Sequence, residues 1–311
     1  MILVTGGLGF IGSHTVRALL DRGHDCVVTR HRNARIAPFL ADAIGTRAIV
    51  VACDVTDANA VLDVGRAHAI EGIVHLVGEL GTGDSVADFE RAAASLLAVL
   101  AAARAWRVRR IAIASTLGVY AGVAASPWRE DAPLPIASPH HIPAVKKIWE
   151  IIATRFADET GTSTTLLRIA GVWGPLARDA AGLPAVLARA AVTGARPDFS
   201  HLLFDSPFAE DGYDLAYVRD VAGAIAHLYT ADELAHRTYN VASGSVTTGA
   251  DLVRAIAAAV PGCALELATR PPDRPARTMP PLDVTRLREA GYRPQFDTVA
   301  AMVDYIAWLR S

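Results

Sequence analysis

A short apolar run, Ile2-Leu3-Val4-Thr5, leads directly into Gly6-Gly7-Leu8-Gly9-Phe10-Ile11-Gly12 and then into the helical pattern Ser13–Asp21. No other feature constrains the fold of this chain so tightly. Spaced glycines alone are weak evidence; here a strand precedes them and a helix follows, as a dinucleotide-binding βαβ unit requires. Gly6 permits the tight turn, Gly9 lets backbone approach a pyrophosphate, and Gly12 allows the helix to pack closely on the strand. Phe10 and Ile11 begin a helix whose first N–H groups and positive dipole end suit an anion. Gly6, Gly9, Phe10, Ile11 and Gly12 are therefore the first candidate cofactor-binding residues.

Further apolar runs follow at Cys26–Thr29, Ala48–Cys53, Gly72–Val77, Arg110–Ala114 and Thr164–Ile169, most of them separated by helical patterns. Runs without polar alternation suit strands buried on both faces, and their alternation with helices implies an α/β, doubly wound parallel sheet. Loops rich in Pro and Gly become commoner after Gly171. The stretch from Gly194 to Asp214 reads as irregular, and a new helix begins near Asp220. The expected division is a dinucleotide-binding domain over 1–170 and a smaller, mixed α/β substrate-binding part over 171–311, with some segments returning to the first.

Thirty basic and 32 acidic residues nearly cancel in 311, which argues against a general nucleic-acid-binding surface. No window is apolar for the 18 or so residues that a membrane span needs. Three widely spaced cysteines, Cys26, Cys53 and Cys263, fit neither a disulfide framework nor a zinc site. With no basic leader ahead of the first strand, the expectation is a cytoplasmic protein acting on a small molecule, with neither nucleic acid nor membrane as partner.

The Thr-Gly-x-x-Gly-x-x-Gly spacing resembles the extended short-chain dehydrogenase/reductases, the NAD-dependent epimerase/dehydratase family. The resemblance continues through Asp54-Val55, His75-Leu76-Val77, Ser115-Thr116-Leu117-Gly118-Val119-Tyr120, Leu167-Arg168, Val172-Trp173-Gly174-Pro175, Tyr217-Val218-Arg219-Asp220 and Tyr239-Asn240-Val241. It implies a Rossmann fold, a nicotinamide cofactor with Asp54 and Val55 beside its adenine, and oxidoreductase or epimerase chemistry.

Where NAD-binding folds place an acidic residue on the ribose 2′-hydroxyl, this chain has Arg30, followed by His31, Arg32 and Arg35. A guanidinium can bind a 2′-phosphate that a carboxylate would repel, so NADP is expected, with NAD the alternative. Arg107, Arg109 and Arg110 form a second basic cluster, expected to be surface charge.

In the family a Ser or Thr, a Tyr and a Lys four residues after the Tyr carry the chemistry. The resemblance assigns Thr116 as the hydroxyl and Lys146, with Glu150 one turn later, as the lysine that also holds the nicotinamide ribose. The position four before Lys146 is Ile142, and four before Lys147 is Pro143. Neither can transfer a proton. His140 and His141 precede this helix, and His141 is the candidate replacement because imidazole titrates near neutrality. It would need a local distortion, since one residue along a helix turns a side chain by roughly 100°. Tyr120, Glu79 and Asp84 are further acid/base candidates, with His201 and Glu210 behind them.

Other departures bear on the substrate. The helix Arg91–Leu97 lacks the family's relay Asn, and no Asp-Glu pair follows Thr116, which disfavours dehydratase chemistry. Tyr213-Asp214-Leu215-Ala216 lacks the Arg that binds a nucleotide-sugar pyrophosphate, and Gly171 replaces an Asn. Arg270 could meet an anion, although a surface role is expected. The helix Phe89–Trp106 is apolar almost all round and so is covered on more than one side. With Ile148, Trp149, Ile151 and Ile152 it forms the expected homodimer seam. The expectation is an NAD(P)-dependent oxidoreductase or epimerase with a non-standard proton donor. A cofactor-retaining lyase or isomerase, and a non-catalytic NADP sensor, are the alternatives.

Overall fold

The computed structural model describes residues 1–32, 34–78, 85–177, 182–200, 202 and 207–311. Seven parallel strands form the main sheet: β1 (Ile2–Thr5), β2 (Cys26–Arg30), β3 (Ala48–Ala52), β4 (Gly72–His75), β5 (Arg110–Thr116), β6 (Ser163–Ile169) and β9 (Thr238–Val241). Their order is β3-β2-β1-β4-β5-β6-β9, so the chain reverses direction across the sheet between β1 and β4. Such a switch point opens a crevice at the carboxyl ends of the strands, where ligands bind. All six apolar runs form strands.

Both faces of the sheet are covered, as the unbroken apolar runs require. Alternate side chains go to opposite faces. Ile2, Val4, Val28 and Leu167 pack with Val16, Leu19 and Leu20 of α1 (Phe10–Asp21) and with Val221 and Ile225 of α6 (Val218–Thr230). Leu3, Val27, Ile73 and Ile111 face the other way. They pack on α2 (Ala58–Ala67), α3 (Ser85–Trp106) and α4 (His141–Thr160), the last stopped by Gly161 in the left-handed region at φ 70°.

A smaller sheet, β10-β8-β7, is built from β7 (Gly171–Trp173), β8 (Gly212–Tyr217) and β10 (Val246–Thr248). Its core includes Trp173, Tyr217, Leu252, Ile256, Met302 and Tyr305, enclosed by α5 (Leu183–Thr193), α7 (Gly249–Ala259) and α9 (Thr298–Arg310). The short helix α8 (Thr285–Glu289) packs beside β9. β8 starts at Gly212, inside a stretch that reads as irregular. Its antiparallel partner, β10, lies some thirty residues further on, so no local pattern announces the pairing. No helix among the described residues is long and apolar enough to cross a membrane.

Candidate active site

The glycine loop has the geometry that its sequence implies. Gly6 lies at φ +70°, and a Cβ there would sit 3.2 Å from the backbone of Leu76 and Val77. A Cβ on Gly12 would collide with the Gly6 carbonyl and the Gly7 Cα, so a side chain here would push α1 off the loop. Gly9 is the N-cap of α1 and no side chain caps the helix, which leaves its first-turn amides, those of Phe10, Ile11 and Gly12, to an anion. The cradle therefore fits a pyrophosphate. The Thr29 hydroxyl accepts from the Gly6 amide at 3.2 Å and ties the end of β2 to the loop. Arg30 follows, exposed at the strand's last position.

Asp54 and Val55 leave β3 at the same edge, and Val55 is buried. The Asp54 carboxylate accepts from the Thr56 amide at 3.0 Å and its hydroxyl at 2.8 Å, and lies 3.5 Å from His31 Nε2. Burial acts to raise its pKa, but the Thr56 hydrogen bonds and the nearby His31 and Arg32 charges hold it below the usual carboxylate range.

Residues of α4 and β5 lie at the same end of the sheet. Lys146, on the second turn of α4, is buried and donates to the Val77 carbonyl at 3.4 Å, just beyond β4. Its ammonium also lies 3.6 Å from the centre of the Trp149 ring. Trp149 is fixed from both sides: Nε1 donates to the Ala92 carbonyl of α3 at 3.1 Å, and the ring lies against His75, 4.8 Å between centroids. Trp149 is thus buried inside the subunit, which corrects its expected place in the dimer seam. His75 Nδ1 in turn meets the Thr5 hydroxyl at 2.7 Å. Thr116 ends β5, and its hydroxyl accepts from the Gly118 amide at 3.2 Å. A Cβ on Gly118 would sit 2.8 Å from Pro143, so this glycine lets the start of α4 close over the Thr116 turn. Glycine loop, Lys146 and Thr116 therefore lie at the same carboxyl-terminal edge of the sheet.

Ile142 lies one turn before Lys146 on the same face of α4 and is 42% exposed. His141 points elsewhere. Its ring meets the Phe89 ring of α3 edge-on at 4.8 Å, and neither ring nitrogen has a hydrogen-bond partner among the described residues, although both are shielded from solvent. His140 is exposed. Glu79, Asp84 and His201 lie outside the described residues. The Glu210 carboxylate accepts from the Arg270 amide at 2.9 Å.

Several signature residues belong instead to one buried network. Arg168 donates to both Glu150 oxygens, at 3.0 and 2.7 Å, and to the Tyr120 hydroxyl at 2.9 Å. Ser115 Oγ donates to Glu150 at 2.5 Å, and Tyr120 to Asn240 Oδ1 at 2.7 Å. The Asn240 amide N–H donates to Glu130, a residue that carries no signature in the sequence. Burial pushes the Tyr120 hydroxyl up to about 12. With no exposed surface, Tyr120 braces β5 against β6 and β9, which removes it as the acid/base candidate. An arginine inside Leu166-Leu167-Arg168-Ile169 was the available signal, because a buried guanidinium requires a carboxylate partner.

Two further expectations are corrected. Arg270 is buried, paired with the buried carboxylate of Asp211 and stacked 4.4 Å over Phe208, so it is not a surface cation. Arg110 turns its guanidinium onto the carbonyls of Tyr229, Ala231 and Asp232 and closes the C-terminal end of α6.

Residues 2–242 match the NAD dependent epimerase/dehydratase family. A UDP-glucose 4-epimerase of Neisseria gonorrhoeae is 27% identical over 287 residues, covering 83% of this chain and 82% of that protein. UDP-glucose 4-epimerase 3 of rice (Oryza sativa subsp. japonica) is 25% identical, covering 82% of this chain and 74% of its own. The Thermus thermophilus UDP-glucose 4-epimerase, solved in complex with NAD, superimposes with a TM-score of 0.79 at 26% identity, over 99% of this chain and 98% of that one. The glycine cradle and a match over most of the chain agree: the protein is an enzyme of the NAD-dependent epimerase/dehydratase family, within the extended short-chain dehydrogenase/reductases.

Proposed function

We propose that this chain is a nicotinamide-dependent oxidoreductase or epimerase that interconverts a hydroxyl and a carbonyl without a tyrosine proton donor. The observation that carries this is Ile142, half-exposed one turn before Lys146, in a chain that keeps the glycine loop, Thr116 and Lys146. When bound, the nicotinamide supplies hydride exchange. Lys146 holds its ribose, Thr116 holds the substrate oxygen, and the first turn of α1 holds the pyrophosphate.

His141 is the proposed proton carrier. Two shielded ring nitrogens without partners among the described residues are unfavourable in a resting protein, by about 1–3 kcal/mol for each unmet group. In this reading the ring leaves Phe89 and swings across the start of α4 to the Lys146 side. NADP is the proposed nucleotide, because Arg30 ends β2 exposed where a 2′-phosphate would lie; the NAD-bound Thermus relative favours NAD as the alternative.

The proposed substrate is a small hydroxyl or carbonyl compound without a diphosphate. Arg270 is already neutralised by Asp211, and β8 offers a buried Asp214 and a half-buried Leu215 where a free cation would be needed. We further propose a cytoplasmic homodimer whose subunits divide at residue 170. Leu97, Ile148 and Ile151 leave an apolar surface on the paired helices α3 and α4. Ile142 also supports a second reading, a lyase or sensor that keeps its nucleotide without net redox.

The test is turnover of a carbonyl panel with NADPH deuterated at C4. Label in an alcohol product is expected, with His141→Gln at least 100-fold slower and nucleotide affinity unchanged. Tight nucleotide binding with no label in any product would leave the lyase or sensor. A fully active His141→Gln would place the proton elsewhere.

A further inference from the structure

Of the second basic cluster, only Arg110 has a structural task. Arg107 and Arg109, joined by Arg104, line a separate concave surface of about 240 Å³ between the ends of α3 and α4, with Thr160, Gly161 and Thr162 on the opposite wall. Among the described residues no carboxylate lies within ion-pairing distance of these three guanidiniums. The nearby acids are engaged elsewhere: Glu159 with Arg155 at 2.9 Å, Asp158 with Arg237 at 2.9 Å, and Glu71 with the terminal ammonium at 3.0 Å.

Basic residues at a helix C-terminus ordinarily complement the dipole. Two helix ends supply roughly one negative charge together, against three guanidiniums, so a surplus of about two positive charges remains. Arg107 adds an independent sign. It lies at φ 54°, in the left-handed region where glycine is the usual helix-ending residue. Val108 N bonds back to the Ala103 carbonyl at 3.0 Å, the bond that closes such an ending. The chain keeps a charged side chain at a position whose backbone favours none, and that side chain faces this groove.

We propose that the groove is a second anion site, which binds a small phosphorylated anion through Arg104, Arg107 and Arg109. It lies at the amino ends of β5 and β6, and the seven residues of β5 separate it from Thr116 by roughly 20 Å. It is therefore distinct from the nucleotide cradle, and it does not depend on the reading of His141.

The probe is inorganic pyrophosphate, titrated calorimetrically into the full-length protein at constant ionic strength. A nicotinamide nucleotide held at saturation keeps the cradle filled. One site per chain with a sub-millimolar Kd is expected. Arg107→Gly should weaken binding at least tenfold while raising the thermal midpoint without pyrophosphate, because glycine suits that backbone better. Arg104→Ala combined with Arg109→Ala should weaken binding similarly. No saturable binding by the wild type up to about 10 mM, or equal affinity in the wild type and Arg107→Gly, would overturn the proposal.

Discussion

Lys146 is fixed by contacts that its motif does not mention. The indole of Trp149 lies beneath its ammonium, and His75 and Thr5 back the indole. Both buried histidines of this region stay neutral. Burial pushes His75 down to about 3 and His14, against Phe39, down to about 4. An unfolded histidine binds a proton below about 6.5, and the folded protein resists it, so stability is lost as pH falls. Between pH 7.5 and 5 each should remove about 2 kcal/mol from the unfolding free energy. Urea denaturation at the two values measures this, and His75→Gln should remove about half of the difference. A second expectation concerns Arg168. Glu150→Ala leaves that guanidinium buried without its carboxylate and should destabilise the fold by about 3–5 kcal/mol, seen as a lower denaturation midpoint. Gly12→Ala drives a methyl into the Gly6 carbonyl, and a loss of nucleotide affinity of at least 100-fold is expected by fluorescence titration.

Among the elements, the strands were the most legible. Six strands of the main sheet are apolar runs, and its parallel order follows from their alternation with helices. The glycine loop was legible because sterics leave glycine little competition at Gly6 and Gly12. What escaped was non-local: the pairing of β8 with β10, the Asp211–Arg270 pair, and Glu130 reaching Asn240 across 110 residues of chain. Those partners come together only after the strands have set the spacing, and no local pattern encodes them. The outer faces of α3 and α4 carry their own expectation. Leu97→Glu with Ile151→Glu places charges on the exposed apolar surface, and sedimentation should show a dimer become a monomer. An unchanged mass would remove the helix seam.

On the scale of the whole molecule, the two ends of one sheet carry different groups. The carboxyl ends carry the glycine loop, Thr116 and, beside Val77, Lys146, while the amino ends carry the arginine groove. The second, smaller sheet has its own core, and His14 Nε2, 3.1 Å from the Pro175 carbonyl, ties its side of the molecule to α1. Family and fold could be read from the motifs, whereas the departure at Ile142 could be read only as a gap. What fills that gap decides the chemistry. A crystal structure with NADP⁺ tests this most directly. The pyrophosphate is expected on the first turn of α1, the 2′-phosphate against Arg30, and Lys146 on the ribose. The His141 ring is expected within about 5 Å of the nicotinamide C4, beside Thr116, close enough for transfer directly or through one water. A C4 atom faced only by Ile142 and other apolar groups, with His141 still against Phe89, would contradict it.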